Sequence, residues 1–258
     1  MVKTERQLLE EKYAGVPTLE FETDLKRLAA GEPLAYVIGS QPFLGLRIYL
    51  DSHPLIPRPE TEWWIEELLK EVKSPATFLD LCAGSGAIGC AALKFLPQAE
   101  VYFGELDPAH EETIRKNIRE NGLDASRADI RIGNLFRPFG DMKFDVIAAN
   151  PPYIPSSRSL PDEVSKYEPK QALFSGPDGL DVIRRIATEL PDRLARGGAA
   201  WIECDREHSQ AARKLFVDQG FIAGIRTDQY GEPRIIVVSF PINAEPDAAA
   251  VLPADRSV

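Results

Sequence analysis

From Thr77 onward the chain alternates short apolar runs with longer amphipathic stretches, and this alternation constrains the fold more than any other feature. Phe78-Leu79-Asp80-Leu81-Cys82 reads as a strand, and 86–96 as a helix rich in small residues. Val101-Tyr102-Phe103-Gly104-Glu105 is a second strand and 108–121 a second helix, with Gly122 placed to stop it. Residues 129–132 and 144–149 supply two more strands. In 180–195, Leu180, Ile183, Ala187, Leu190 and Leu194 keep helical spacing, and Gly197-Gly198 is expected to end that helix. A strand at 199–204, a helix at 209–219 and a hairpin of 221–226 with 234–240 complete the series. Strands that alternate with helices predict an α/β fold: a mostly parallel sheet with helices on both faces.

The chain divides into four stretches. Residues 1–33 read as a short helical segment, and 34–59 as a β-hairpin followed by a proline-rich linker, with Tyr36-Val37-Ile38 in the first hairpin strand. Residues 60–242 form the α/β domain. The Ala-, Pro- and Asp-rich tail 243–258 has the composition of a disordered segment.

The loop Asp80-Leu81-Cys82-Ala83-Gly84-Ser85-Gly86-Ala87-Ile88-Gly89 joins the first strand to the first helix. Glycines there let the backbone turn sharply and pass close to a ligand. Glu105 ends the second strand about 20 residues later, where an acidic group accepts hydrogen bonds from both hydroxyls of a ribose. Asp107 lies nearby but sits at a helix entry, before Pro108. Gly84, Gly86 and Gly89 also satisfy a dinucleotide fingerprint, so the glycines alone leave NAD open.

Asn150-Pro151-Pro152-Tyr153 follows the fourth strand, at the carboxyl ends of the strands, where open α/β folds place ligands. An amide nitrogen is a poor nucleophile because its lone pair is delocalised into the carbonyl. The Asn150 side-chain oxygen and the Pro151 carbonyl can accept from its two N–H groups and aim it. The prolines stiffen the loop, and Tyr153 can stack on a planar group. Chemistry at such a site is mainly positioning.

The Asp80-to-Gly86 loop resembles motif I of class I methyltransferases. That resemblance implies a seven-stranded Rossmann-like sheet and S-adenosyl-L-methionine in place of NAD. It places Asn134 and Leu135, after the third strand, beside the adenine. Further residues narrow the family: Gly31-Glu32-Pro33-Leu34-Ala35-Tyr36, Gly45-Leu46, Leu55-Ile56-Pro57-Arg58-Pro59-Glu60-Thr61-Glu62, Tyr167-Glu168-Pro169 with Ala172-Leu173, and Gly176 with Gly179. Together with Asn150 to Tyr153 they resemble the HemK/PrmC-type glutamine-N5 methyltransferases of peptide-chain release factors. Ile-Pro-Arg-Pro-Glu-Thr is the most discriminating stretch, since adenine-N6 DNA methyltransferases share Asn-Pro-Pro-Tyr but lack it.

The resemblance implies a cofactor site of Cys82, Ala83, Gly84, Ser85, Gly86, Glu105, Asn134, Leu135 and Asn150. It implies a catalytic and substrate site of Asn150, Pro151, Pro152 and Tyr153, acting on the glutamine of a Gly-Gly-Gln loop in a release factor. Members carry a longer helical docking domain before the Gly-Glu-Pro. Here 30 residues precede Gly31, so a smaller docking surface is expected.

The formal net charge of −10 disfavours a polyanionic partner and argues against a nucleic-acid adenine methyltransferase, which stands as an alternative together with a glutamine methyltransferase of a ribosomal protein. The odd number of cysteines argues against a disulfide framework, and the three scattered histidines suggest no metal. Without a leader-like or membrane-spanning apolar run, a monomer in the cytoplasm is expected.

Overall fold

The computed structural model describes residues 2–241. The tail anticipated as disordered, 243–258, lies outside the described residues. At the amino-terminal end, helices α1 (Lys3–Tyr13) and α2 (Leu19–Ala29) pack on a short helix, α3 (Leu34–Ile38), and bury Leu8, Phe21, Val37 and Ile38 in a small core of their own. Asp24 ties this corner together by accepting from Lys12, Tyr13 and Arg27.

The hairpin consists of β1 (Ser40–Phe43) and β2 (Leu46–Tyr49). It begins later than the sequence suggests, because Tyr36-Val37-Ile38 is helical. Pro33 occupies the N-cap position of α3, and Gly39, at φ 89°, ends it in the left-handed conformation. An apolar run of this length fits a buried helical turn as well as a strand. The linker then leads into α4 (Pro59–Glu71).

Next come β3 (Thr77–Leu81), α5 (Ala87–Phe95), β4 (Glu100–Glu105), α6 (Glu111–Glu120), β5 (Ala128–Ile132) and β6 (Phe144–Ala149). Two short helices, α7 (Asp162–Ser165) and α8 (Lys170–Leu173), precede α9 (Asp181–Arg193). The chain continues through β7 (Leu194–Glu203), α10 (Ser209–Asp218), β8 (Ile222–Thr227) and β9 (Pro233–Ser239).

The seven-stranded sheet runs β5-β4-β3-β6-β7-β9-β8. Its pairs are parallel through β7 and antiparallel at β9 and β8. One face buries Phe78, Val101, Phe103 and Trp201 with Trp64 and Ile65 of α4 and the hairpin. The other buries Leu79, Leu81, Ile147 and Ile202 with α9 and α10. Among the described residues no helix is long and apolar enough to cross a membrane.

Gly197-Gly198 does not end α9 as the sequence suggests. The helix stops at Arg193, and both glycines lie inside β7. The register of β6 on β7 slips between Phe144 and Val146, and there a Cβ on Gly198 would stand 2.6 Å from the Asp145 carbonyl oxygen. These backbones approach too closely for a side chain.

Candidate functional site

The carboxyl ends of β3 to β6 open onto a cleft of about 280 Å³. Its floor is the loop after β3. Cys82 and Ala83 both donate backbone N–H to the Gly104 carbonyl, at 2.9 and 3.0 Å. The chain then turns through Gly84 and Gly86, at φ 55° and 77°, into α5. Gly89 meets a different demand. A Cβ there would lie 2.2 Å from the Phe103 ring, so α5 could not pack this closely on β4.

Asp80 is fully buried, and its Oδ2 accepts from the Gly89 N–H at 2.8 Å. Its other oxygen has no hydrogen-bond partner among the described residues. Burial pushes its carboxyl up to about 7; the Gly89 bond opposes the shift and the Glu105 charge adds to it.

Glu105 works as a clasp. One oxygen accepts from the Gly84 N–H at 2.7 Å and the other from the Asp107 N–H at 2.8 Å. A carboxylate has about four acceptor sites, so Glu105 keeps capacity for a ligand in the cleft it lines. Asp107 is committed elsewhere: it accepts from the Ala109 N–H and from Gln171, each at 2.9 Å.

Leu135, at φ 49°, and the half-exposed Leu106 line the cleft and give it apolar surface suited to a planar base. The Asn134 side-chain oxygen, anticipated as an adenine acceptor, receives a hydrogen bond from Arg185 at 3.0 Å, and both residues line the cleft.

A second cavity of about 200 Å³ adjoins the first, and Leu55, Asn150 and Ala172 line both. Asn150 stands at the end of β6, the strand beside β3. Its side-chain NH₂ donates to the Thr61 hydroxyl at 3.1 Å. Thr61 donates to Glu203 Oε2 at 2.7 Å, as does the Trp64 indole N–H, also at 2.7 Å. Tyr153 donates its hydroxyl to Glu203 Oε1 at 2.8 Å. Burial, then the charge of Glu203 and this bond, hold the Tyr153 hydroxyl well above its ordinary value, so it stays protonated. Pro152 lines the first cavity and Tyr153 the second, while Pro151 is buried.

The discriminating sequence stretches converge on the same place. Arg58 pairs with the buried Glu168 at 2.5 Å, and Glu168 also accepts from the Ile56 N–H at 3.2 Å. Arg58 also lines the second cavity. Gly179 lets α9 begin beside the loop that follows β6, since a Cβ there would lie 2.4 Å from the Tyr153 carbonyl oxygen. In the sequence Thr61 figures only in the Ile-Pro-Arg-Pro-Glu-Thr stretch, and Glu203, Leu106 and Arg185 are not singled out. For Glu203 a signal existed: an acid sits between Ile202 and Cys204 in an apolar, buried strand.

The Methyltransferase small domain family matches residues 61–164. Over 197 residues the chain is 39% identical to the "Release factor glutamine methyltransferase" of Geobacter sulfurreducens, covering 76% of this chain and 68% of that protein. A protein of the same name from Moorella thermoacetica is 36% identical over 211 residues, or 80% of this chain and 74% of the relative. In fold, the chain is similar to a methyltransferase from Pyrococcus furiosus, with a TM-score of 0.58 at 17% identity, covering 84% of this chain and 98% of that one.

Proposed function

Since the chain belongs to the release factor glutamine methyltransferases, we propose that its two adjoining cavities hold a methyl donor and a substrate glutamine, with Asn150 between them. The reaction is transfer of a methyl group from S-adenosyl-L-methionine to the N5 amide nitrogen of that glutamine, in the Gly-Gly-Gln loop of a peptide-chain release factor. The observation that carries this reading is Asn150, the polar side chain that lines both cavities.

The larger cleft suits the cofactor's parts. The spare acceptor capacity of Glu105 matches ribose hydroxyls, and Leu106 and Leu135 offer apolar faces to adenine. The bound cofactor supplies an electrophilic methyl group.

The chain supplies aim. The Asn150 oxygen accepts from one N–H of the glutamine amide and the Pro151 carbonyl accepts from the other, turning the nitrogen toward the neighbouring cavity. Tyr153, held by Glu203, presents its ring to the planar amide. No side chain has to remove a proton before attack, because the nitrogen becomes acidic once methylated. Holding the partners in near-attack geometry supplies most of the acceleration. A cytoplasmic location, where release factors act, goes with this reading.

A radiolabelled methyl-transfer assay on three substrates tests it: intact release factor, factor in which the Gly-Gly-Gln glutamine is alanine, and duplex DNA. Label is expected in the intact factor alone. Label that persists in the alanine factor, or enters DNA, would overturn the glutamine assignment.

A further inference from the structure

A primary amide can turn either end toward a ligand, and only the oxygen end accepts a proton. Which end Asn150 presents follows from its neighbours. Trp64 Nε1–H can only donate, and it donates a hydrogen bond to Glu203 Oε2 at 2.7 Å. Thr61 Oγ1 lies 2.7 Å from the same oxygen. That contact is attractive only if the Thr61 hydroxyl donates. A hydroxyl has one proton, so Thr61 Oγ1 can then meet Asn150, 3.1 Å away, only as an acceptor. The donor must be Asn150 Nδ2, and Oδ1 is left for whatever occupies the cleft.

We propose that Thr61 and Glu203 are positioning residues that lock the Asn150 amide with its oxygen toward the substrate. This deepens the glutamine reading and rests on it for its catalytic consequence, though not for the orientation itself. A reversed Asn150 would point an N–H at the substrate's own N–H groups, so donor would face donor. The lock starts from the indole: an N–H with no lone pair sets Glu203, Glu203 sets Thr61, and Thr61 sets Asn150. It also explains a threonine at the end of the Ile-Pro-Arg-Pro-Glu-Thr stretch. The first turn of α4 brings Thr61 to β6 and β7, and Trp64, three residues on, shares its face.

The Glu203→Gln substitution distinguishes this chain of constraints from a simple charge requirement. The introduced amide's oxygen would have to face Trp64 and Thr61, since an NH₂ group there would oppose the indole N–H. The Asn150 orientation would survive in Glu203→Gln, and only the Tyr153 hydroxyl would turn round.

The test uses Thr61→Val, Thr61→Ser and Glu203→Gln in the full-length protein. Each is measured for kcat and KM on intact release factor, for affinity toward S-adenosylhomocysteine, and for thermal midpoint. The Asn150 side-chain amide is followed by NMR hydrogen exchange. Thr61→Val should lose roughly 10- to 100-fold in kcat while cofactor-product affinity and KM move by less than about threefold. Its Asn150 amide protons should lose their protection. Thr61→Ser should recover most of the rate, and Glu203→Gln should lose less than Thr61→Val.

Normal turnover with unchanged amide exchange in Thr61→Val would overturn the proposal. So would a Thr61→Ser variant as impaired as Thr61→Val, or a rate loss that follows the thermal midpoint. The NMR measurement needs no substrate. If the wild type labels no glutamine, the function reading fails, and the exchange data still decide whether Thr61 orients Asn150.

Discussion

The two halves of the cleft are built by different means. In the half we assign to the cofactor, the floor is made mostly of backbone: glycine turns and strand ends within residues 80–135, clasped by Glu105 across 21 positions of chain. The substrate half is made of side chains that find one another over much longer spans. Asn150 reaches Thr61 across 89 positions, and Thr61 reaches Glu203 across 142. A backbone-built site tolerates changes in side chains that do not touch it. A relay of single hydrogen bonds has no such redundancy, because each member fixes the next.

The largest effect that separates the halves is expected at Asn150. Asn150→Ala should lower kcat by about 10²-fold or more, with little change in cofactor affinity. Single-turnover kinetics beside calorimetric titration of S-adenosylhomocysteine check this. A parallel collapse of cofactor affinity would show that the halves are not separable at their shared residue.

Glu105 tests the other side. Glu105→Ala removes acceptors for the ligand and also releases the Gly84 and Asp107 N–H groups. Cofactor affinity should fall by about 1–3 kcal/mol, while kcat at saturating cofactor stays near normal. If kcat drops as far as affinity, the clasp also shapes the substrate half, and the division drawn above is wrong.

The smallest effect concerns Asp80 and pH. The folded carboxyl holds its proton to about 7, whereas the unfolded one releases it near 3.8. Between those values the native state binds more protons, so stability from this group is present at low pH and lost as pH rises through 7. Asp80→Asn removes the titration. Its thermal midpoint relative to wild type should therefore rise by a few degrees between pH 5 and pH 8. A constant difference across that range would mean Asp80 stays ionised throughout.

The same contrast explains what could be read from the sequence. The cofactor half follows local rules: a strand, a glycine turn, a small-residue helix, then an acid at the next strand end. Each sign sits within a few residues of the feature it specifies, and the mostly parallel α/β sheet follows from the βα alternation, its seven strands from the family resemblance. Asn150 and Tyr153 were legible as a loop after a strand. Their supports were not, because nothing near Thr61 signals that it will meet residue 203. Local ambiguity caused the other misses. Tyr36-Val37-Ile38 is apolar enough for strand or helix, and the bounding Pro33 and Gly39 decided for helix. Gly197-Gly198 has the composition of a helix stop, but its reason lies in the β6 backbone beside it.

The position of Glu203 also orders events during synthesis. Glu203 pairs in register with Ile235 of β9, a strand that leaves the ribosome only after some thirty further residues. The glycine turns, Glu105 and Leu135 emerge long before that. A nascent chain halted near residue 200 carries every backbone element of the cofactor half, but has no acid to receive the Thr61 and Trp64 protons. Pairings this distant in the chain form late, since loop closure must come first. Every residue that lines the larger cavity is thus synthesised before the acid on which Thr61 and Asn150 depend.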